Sequence, residues 1–358
     1  MPLLRRALER YVDVEPFRHG RATDHETTAH KVLQTVGNLA SVESKILRRK
    51  PDVIHVNSAF DARSILRDAP LAVLARRHRV PLFLKAHGSF SEIIRETRMP
   101  VEFAKGILIH NISLLGVLSS VEKSEFEEFL PELKGRICVV KNVISDRFLN
   151  TDRAESEEPL VLFASRFLKE KGPFQLLDAV PAILRRVSNV RFAFLGDGPD
   201  AAAFDNEVCK RGMSGFVERL PHVGREEIAT WYARAWVFVF PTSFPEGMPM
   251  VIAEAIATGT PIVTTRIRFA LSYMSEYENC LYCERDDPHS LAKQVITVLT
   301  DRALRDRMTQ ANRSLALRFR DDAVAREFVQ LYESLVSDAR QDRRAFELSQ
   351  TSFDGQQH

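Results

Sequence analysis

Phe244-Pro-Glu-Gly-Met-Pro-Met-Val-Ile-Ala-Glu-Ala-Ile-Ala-Thr-Gly-Thr-Pro-Ile-Val263 is the stretch on which the reading of the fold turns. It follows the apolar run Trp236 to Phe240, so it reads as the loop after a strand, then a helix over Pro249 to Thr258, then a new strand over Pro261 to Thr265. Short apolar runs alternating with helical periodicity mark βαβ units and a parallel sheet. Pro249 suits the first helical position, because its missing N–H would be unpaired there anyway. The free N–H groups of Gly247, Met248, Met250 and Val251 would then point outward with the positive end of the helix dipole, a seat for a phosphate or a sugar hydroxyl. Glu254 falls about one turn further in, on the face of Met250, so with Glu246 the segment offers two carboxylates to a polyhydroxylated ligand.

The same alternation extends both ways. Strands are expected at Leu160–Ala164, Val190–Leu195 and Val217–Leu220, with helices over 174–186, 200–211 and 226–233 between and after them. Helices over 290–299, 303–318 and 322–337 close the C-terminal half. An earlier unit reads from Asp52–Val56, Val80–Lys85, Leu114–Leu118 and Arg136–Val140 as strands, with helices over 64–78 and 121–129. Residues 150–159 carry no large apolar side chain and read as a linker. The expected organisation is α/β: a domain over 1–149, a linker over 150–159, a domain over 160–337 and a polar tail over 338–358. Two doubly wound parallel sheets so joined would face a cleft, and ligands of such sheets bind beyond the carboxyl ends of the strands.

Composition narrows the function. The chain has 358 residues, of which 45% are hydrophobic and 27% charged, as expected for packed domains. Fifty Lys and Arg against 48 Asp and Glu leave a net charge of +2, so no overall field advertises a nucleic-acid partner. Residues 1–50 hold ten Lys and Arg against six Asp and Glu, a mild excess that would suit peripheral approach to an anionic membrane face. The longest apolar window, Ile107 to Leu118, is broken by His110, Asn111 and Ser113 and falls short of the ~20 residues of a spanning helix. Met1-Pro-Leu-Leu-Arg-Arg6 lacks a signal peptide's apolar core, so the expected location is the cytoplasm.

Several weaker motifs have bland alternatives. Cys280 and Cys283 form an isolated Cys-x-x-Cys with no second pair at zinc-finger spacing. His25 and His30 are five apart, which puts them on different helix faces and rejects a metalloprotease helix. Gly196-Asp-Gly-Pro-Asp-Ala201 fits a dinucleotide-binding pattern, but it follows the second strand of its unit and no acidic residue ends a strand about 20 residues on. Arg166 and Lys171 taken singly are ordinary surface charges, yet together they flank a strand end where a departing diphosphate would need neutralising. No Asp-x-Asp occurs, so the usual carboxylate holder of a diphosphate-bound metal is absent and no metal or other cofactor is expected.

The spacing Glu246-x7-Glu254 closely resembles the donor-site motif of GT-B glycosyltransferases of the family 4 type. Ser165-Arg-Phe-Leu-Lys-Glu-Lys-Gly172 resembles the family's Gly-Arg-Leu-x-x-x-Lys-Gly loop, with Ser165 where Gly is usual. Phe194-Leu-Gly-Asp-Gly-Pro199 resembles its Gly-Asp-Gly-Pro turn, and Gly259-Thr-Pro-Ile-Val263 its Gly-x-Pro-Val-Val. Lys141 to Phe148 is similar to its Pro-Asn-Gly-Val-Asp-x-x-Phe, with Val143 in place of Gly, so a left-handed backbone is not expected there.

The resemblance implies a GT-B fold and a retaining, metal-independent transfer of sugar from a nucleotide-sugar donor to a saccharide or lipid-linked acceptor. It implies that Glu254 accepts from the donor's ribose hydroxyls, that Glu246 with Gly247, Met248, Pro249 and Met250 holds the transferred sugar and phosphates, and that Arg166 and Lys171 neutralise the diphosphate. His87, after the strand Val80–Lys85, would stand on the acceptor side, with Asn57 a weaker candidate. Such a chain should open with an apolar strand and a Gly-rich loop. Here Leu3–Arg10 reads as the tail of the first helix and Tyr11–Glu15 as the second strand, so that first strand is expected to be lacking. Two alternatives stand beside this reading: a catalytically degenerate nucleotide-binding protein, and an NAD-dependent oxidoreductase using Gly196 to Ala201.

Overall fold

The computed structural model describes residues 2–17, 19, 28–87, 99–224 and 227–354. They form two compact units, Met1–Val140 with Ala325–His358, and Lys141–Val324.

In the first unit, strands β1 (Ile54–Ser58), β2 (Leu82–Ala86), β3 (Leu114–Val117) and β4 (Ile137–Val139) form a parallel sheet in that order. Every position of β2 is buried, as a strand covered on both faces requires, yet its fourth residue is Lys85. The helix Ala62–Arg77 begins in a reciprocal cap: Asp61 accepts from the Ser64 N–H while the Ser64 hydroxyl accepts from the Asp61 N–H. Phe328 and Tyr332, on the helix Asp321–Asp354, pack edge-on against Phe83 of β2. In β1, the main-chain groups of Ile54, Val56 and Ser58 face β2, which leaves those of His55 and Asn57 facing the open edge.

Tyr11–Glu15 is not a strand. After the helix Pro2–Leu8 the chain turns and runs extended without a ladder, held by side chains: Lys45 and Arg49 pair with Glu15, and Lys45 donates to the Pro16 carbonyl. Helices Thr28–Arg49 and Met99–Asn111 were not anticipated, and the apolar window at Ile107 to Leu118 is the end of the second of them plus β3. The C-terminal helix continues through the expected polar tail to Asp354, a stretch rich in residues of good helix propensity. His25 and Gly88 lie outside the described residues.

The second unit is a six-stranded parallel sheet: β5 (Leu160–Ala164), β6 (Arg191–Leu195), β7 (Val217–Leu220), β8 (Val237–Phe240), β9 (Ile262–Thr264) and β10 (Cys280–Tyr282). Their order is β10-β9-β8-β5-β6-β7, so the chain winds one way from β5 to β7 and the other way from β8 to β10. The reversal falls between β5 and β8, where loops leaving in opposite directions open a crevice. β10 was not anticipated. It buries Cys280, and burial pushes the thiols of Cys280 and Cys283 up to about 12, leaving both inert. Among the described residues no group of three His, Cys, Asp or Glu could hold a metal ion.

Residues 150–159 do not hang free. The Ala154 and Ser156 N–H groups donate to the carbonyls of Ala233 and Arg234, and Trp236 Nε1 donates to the Ser156 carbonyl at 2.9 Å. Arg305 stacks on Trp236 at 4.1 Å. The segment lacks apolar side chains but satisfies its main chain against the second unit, and the division between units falls earlier, after Val140. No helix among the described residues is long and apolar enough to cross a membrane.

Gly116 in β3 leaves room for the Phe83 ring, since a Cβ there would lie 2.5 Å from Phe83 Cζ. Gly116→Ala should therefore overpack the first unit and cost about 1–3 kcal/mol. Urea unfolding measures it, and an unchanged midpoint would contradict the packing described.

Candidate active site

The crevice at the reversal is built from two loops, 165–172 after β5 and 241–249 after β8. The carbonyl of Glu170 joins them: it accepts from the Ser243 N–H at 2.8 Å, the Thr242 hydroxyl at 3.0 Å and the Phe244 N–H at 3.2 Å. Gly172 is required on two counts. Its φ of +88° is left-handed, and a Cβ would lie 2.5 Å from the Pro241 carbonyl oxygen. It also precedes the helix Pro173–Leu184, so the first loop ends in a fixed direction.

A third loop braces the first. A Cβ on Gly196 would lie 2.0 Å from the Ser165 carbonyl oxygen and one on Gly198 2.4 Å from that of Phe167, while Asp200 accepts from the Lys169 N–H at 2.8 Å. The Gly196 to Ala201 turn is thus filled by protein main chain rather than open to a pyrophosphate, and it shapes the loop carrying Arg166 and Lys171.

The helix Met250–Thr258 starts one residue later than expected. Pro249 has φ −65° and ψ 118°, an extended conformation that makes it the N-cap rather than the first helical residue. Ile252 and Ala253 donate back to the Pro249 carbonyl, whereas the N–H groups of Gly247, Met248, Met250 and Val251 have no partner among the described residues. Four donors therefore remain at the positive end of this helix.

Lys171 and Glu246 meet in an ion pair, both largely buried, with Lys171 Nζ over the Phe244 ring at 4.1 Å. Arg166 is exposed and its side chain has no partner among the described residues. Glu254 accepts from the Tyr232 hydroxyl at 3.1 Å. Burial pushes Glu254 up to about 7, against the opposing pull of that hydroxyl and of Arg147. Tyr232 is fully buried, ringed by Phe148 and Phe238, and its carbonyl accepts from Thr260. Nothing in the sequence singled it out, because an aromatic on the inner face of a short helix reads as core.

The second unit thus joins Lys171 to Glu246, beside Gly247, Met248, Pro249 and Met250 in sequence, with Arg166 on the same loop as Lys171 and Glu254 further along the helix against Tyr232. His87 belongs to the first unit. It follows β2, its N–H donates to the Ser58 carbonyl, and burial together with the Lys85 charge lowers its pKa to about 4. Val143 has no left-handed backbone, as its β-branched side chain requires.

Two parallel-sheet units of this kind, with a phosphate-ready helix end at the winding reversal, are those of a GT-B glycosyltransferase. Residues 146–315 match the family described as Glycosyl transferases group 1. An uncharacterized glycosyltransferase of Methanocaldococcus jannaschii is 25% identical over 79% of this chain and 76% of its own. A D-inositol 3-phosphate glycosyltransferase of Corynebacterium urealyticum is 28% identical over 64% of this chain, which spans only 58% of that relative. Among solved structures, the Anabaena protein HepE in complex with UDP and glucose superposes with a TM-score of 0.70 at 17% identity, covering 92% of this chain and 89% of that one. Sucrose-phosphate synthase from Thermosynechococcus elongatus gives 0.69 at 17% identity over 90% and 83%.

Tyr232→Phe keeps the ring and removes the hydroxyl that stabilises the Glu254 carboxylate, so the Glu254 titration should move upward from about 7. Carboxyl 13C NMR across pH measures it, and an unmoved titration would contradict the contact.

Proposed function

We propose that the protein transfers a sugar from a nucleotide-sugar donor to a saccharide or lipid-linked acceptor, with retention of anomeric configuration and without a bound metal. The observation that carries this is the set of free N–H groups at Gly247, Met248, Met250 and Val251 beside the Lys171–Glu246 pair, at the reversal between β5 and β8. The donors and Lys171 suit phosphate oxygens, and Glu246 suits the hydroxyls of a sugar attached to them. Glu254, held from behind by Tyr232, suits ribose hydroxyls. The UDP and glucose bound by the Anabaena protein of like fold support a nucleotide-sugar donor.

In the reaction, the bond between the anomeric carbon and the phosphate oxygen breaks and its electron pair leaves with the diphosphate. An acceptor hydroxyl oxygen bonds to that carbon, and its proton passes to the departing phosphate. Arg166, Lys171 and the helix end at Gly247 stabilise the charge that develops on the leaving group. His87, neutral at physiological pH, stands ready to hold a hydroxyl. A metal-independent course fits a site whose cations come from side chains and whose sequence has no Asp-x-Asp. Peripheral contact with a membrane would bring a lipid-linked acceptor to the enzyme.

Arg166→Ala and Glu246→Ala should each lower transfer about 10²–10³-fold while circular dichroism stays unchanged; Arg166→Ala should keep the melting temperature, whereas Glu246→Ala, which strands Lys171, should lower it. A scan of labelled nucleotide sugars supplies the donor, and near-normal turnover by either variant would sink the assignment. A degenerate nucleotide-binding protein would instead bind nucleotide sugar without turnover by the wild type.

Because Glu254 is raised to about 7, it is largely protonated below that pH, and a protonated carboxyl is a poorer acceptor for ribose hydroxyls. Affinity for a nucleotide sugar, whose phosphates do not titrate in this range, should rise between about pH 6 and 8 with release of a proton. Calorimetry in buffers of different ionisation enthalpy reads both. Affinity flat with pH would refute the role given to Glu254.

A further inference from the structure

The first unit holds a polar cluster that the donor-side motifs do not include. His87 Nε2 lies 2.9 Å from Asn57 Oδ1, and the His87 N–H donates to the Ser58 carbonyl at 2.8 Å, which seats the residue across the end of β1. An amide oxygen has no hydrogen to give, so this bond requires the hydrogen to be on Nε2.

The surroundings make that hydrogen the sole one on the ring. Lys85 of β2 is in register with Asn57 and fully buried, with its amine 5.2 Å from the Phe328 ring. His55, two residues before Asn57, has its Nδ1 2.6 Å from the Tyr332 hydroxyl and stacks on Phe328. Burial lowers His55 to about 3 and Lys85 to about 7, and it raises Tyr332, so no negative charge stands in this cluster to favour an imidazolium. A neutral His87 with its hydrogen on Nε2 presents a lone pair at Nδ1.

We propose that Asn57 is a positioning residue for the transfer reaction: its side-chain oxygen fixes His87 as the Nε2–H tautomer and so keeps Nδ1 as a hydrogen-bond acceptor for a hydroxyl of the acceptor. The proposal rests on the reading of His87 as an acceptor-side group. Asn57 lies one residue from the end of an edge strand, a position that side-chain packing alone does not require to be an amide.

The test is two-part and uses the full chain. Long-range 1H–15N correlation spectra of histidine-labelled protein report the tautomer of His87 without reference to activity. The wild type should show a protonated Nε2 and a bare Nδ1. Asn57→Ala should give a mixture of tautomers and lower kcat about ten- to a hundredfold with donor KM unchanged. Asn57→Asp should raise the His87 pKa and move the acid limb of the pH–rate profile upward. Asn57→Gln, which keeps an amide oxygen, should restore part of the loss. A hydrogen on Nδ1 in the wild type overturns the proposal, as does Asn57→Ala with the wild-type tautomer and kcat. His87→Ala separates the two levels. Its full turnover would overturn the acceptor-side reading along with this proposal, whereas loss in His87→Ala with none in Asn57→Ala overturns the proposal alone.

Discussion

One main-chain oxygen, the carbonyl of Glu170, ties together the two loops at the winding reversal of the second sheet. It takes donors from Thr242, Ser243 and Phe244, and so sets the distance between the loop that carries Arg166 and Lys171 and the loop that carries Glu246. Such a meeting is available at only one place in this sheet, because β5 and β8 are neighbours in space while the chain makes two intervening strands between them. The glycines follow from that closeness. Gly172 lets one loop pass the Pro241 carbonyl, and Gly196 and Gly198 let the third loop lie on the first, main chain against main chain.

Upon this scaffold the charged groups sit in different environments. Glu254 is enclosed with Tyr232, and its carboxyl titrates near neutrality because leaving water costs the ionised form more than one phenol hydroxyl returns. Lys171 and Glu246 are enclosed together and balance each other, with the Phe244 ring under the ammonium. Arg166 stays in solvent.

Much of the second unit was legible in the sequence. The runs at Leu160–Ala164 and Val217–Leu220 are apolar or bounded by turn residues, and the observed strands have those limits. The Glu246-x7-Glu254 spacing and the loop carrying Arg166 and Lys171 stood out as motifs, and the structure sets Lys171 and Glu246 against each other on loops joined at the Glu170 carbonyl. Less could be read where tertiary contacts override local pattern. β10 is three residues long and is a strand because β9 lies beside it. Tyr11–Glu15 alternates like a strand, but Lys45 and Arg49 hold it elsewhere. Pro249 differs from expectation by one position, since its ψ of 118° is a backbone choice that composition does not reveal. Tyr232 and Lys85 were passed over for a common reason: each sits among apolar neighbours, and only the fold shows what its polar end meets. Asn57, ranked below His87 in the sequence, proves to be its hydrogen-bond partner.

The enclosed pair of Lys171 and Glu246 has a consequence for selectivity. A small free anion that drew Lys171 away would strand the largely buried Glu246 with its charge uncompensated, at a heavy cost. A ligand that brings an anionic group and hydroxyls on one covalent frame replaces both partners at once. An ion pair of this kind favours ligands that answer both of its charges together over solitary anions.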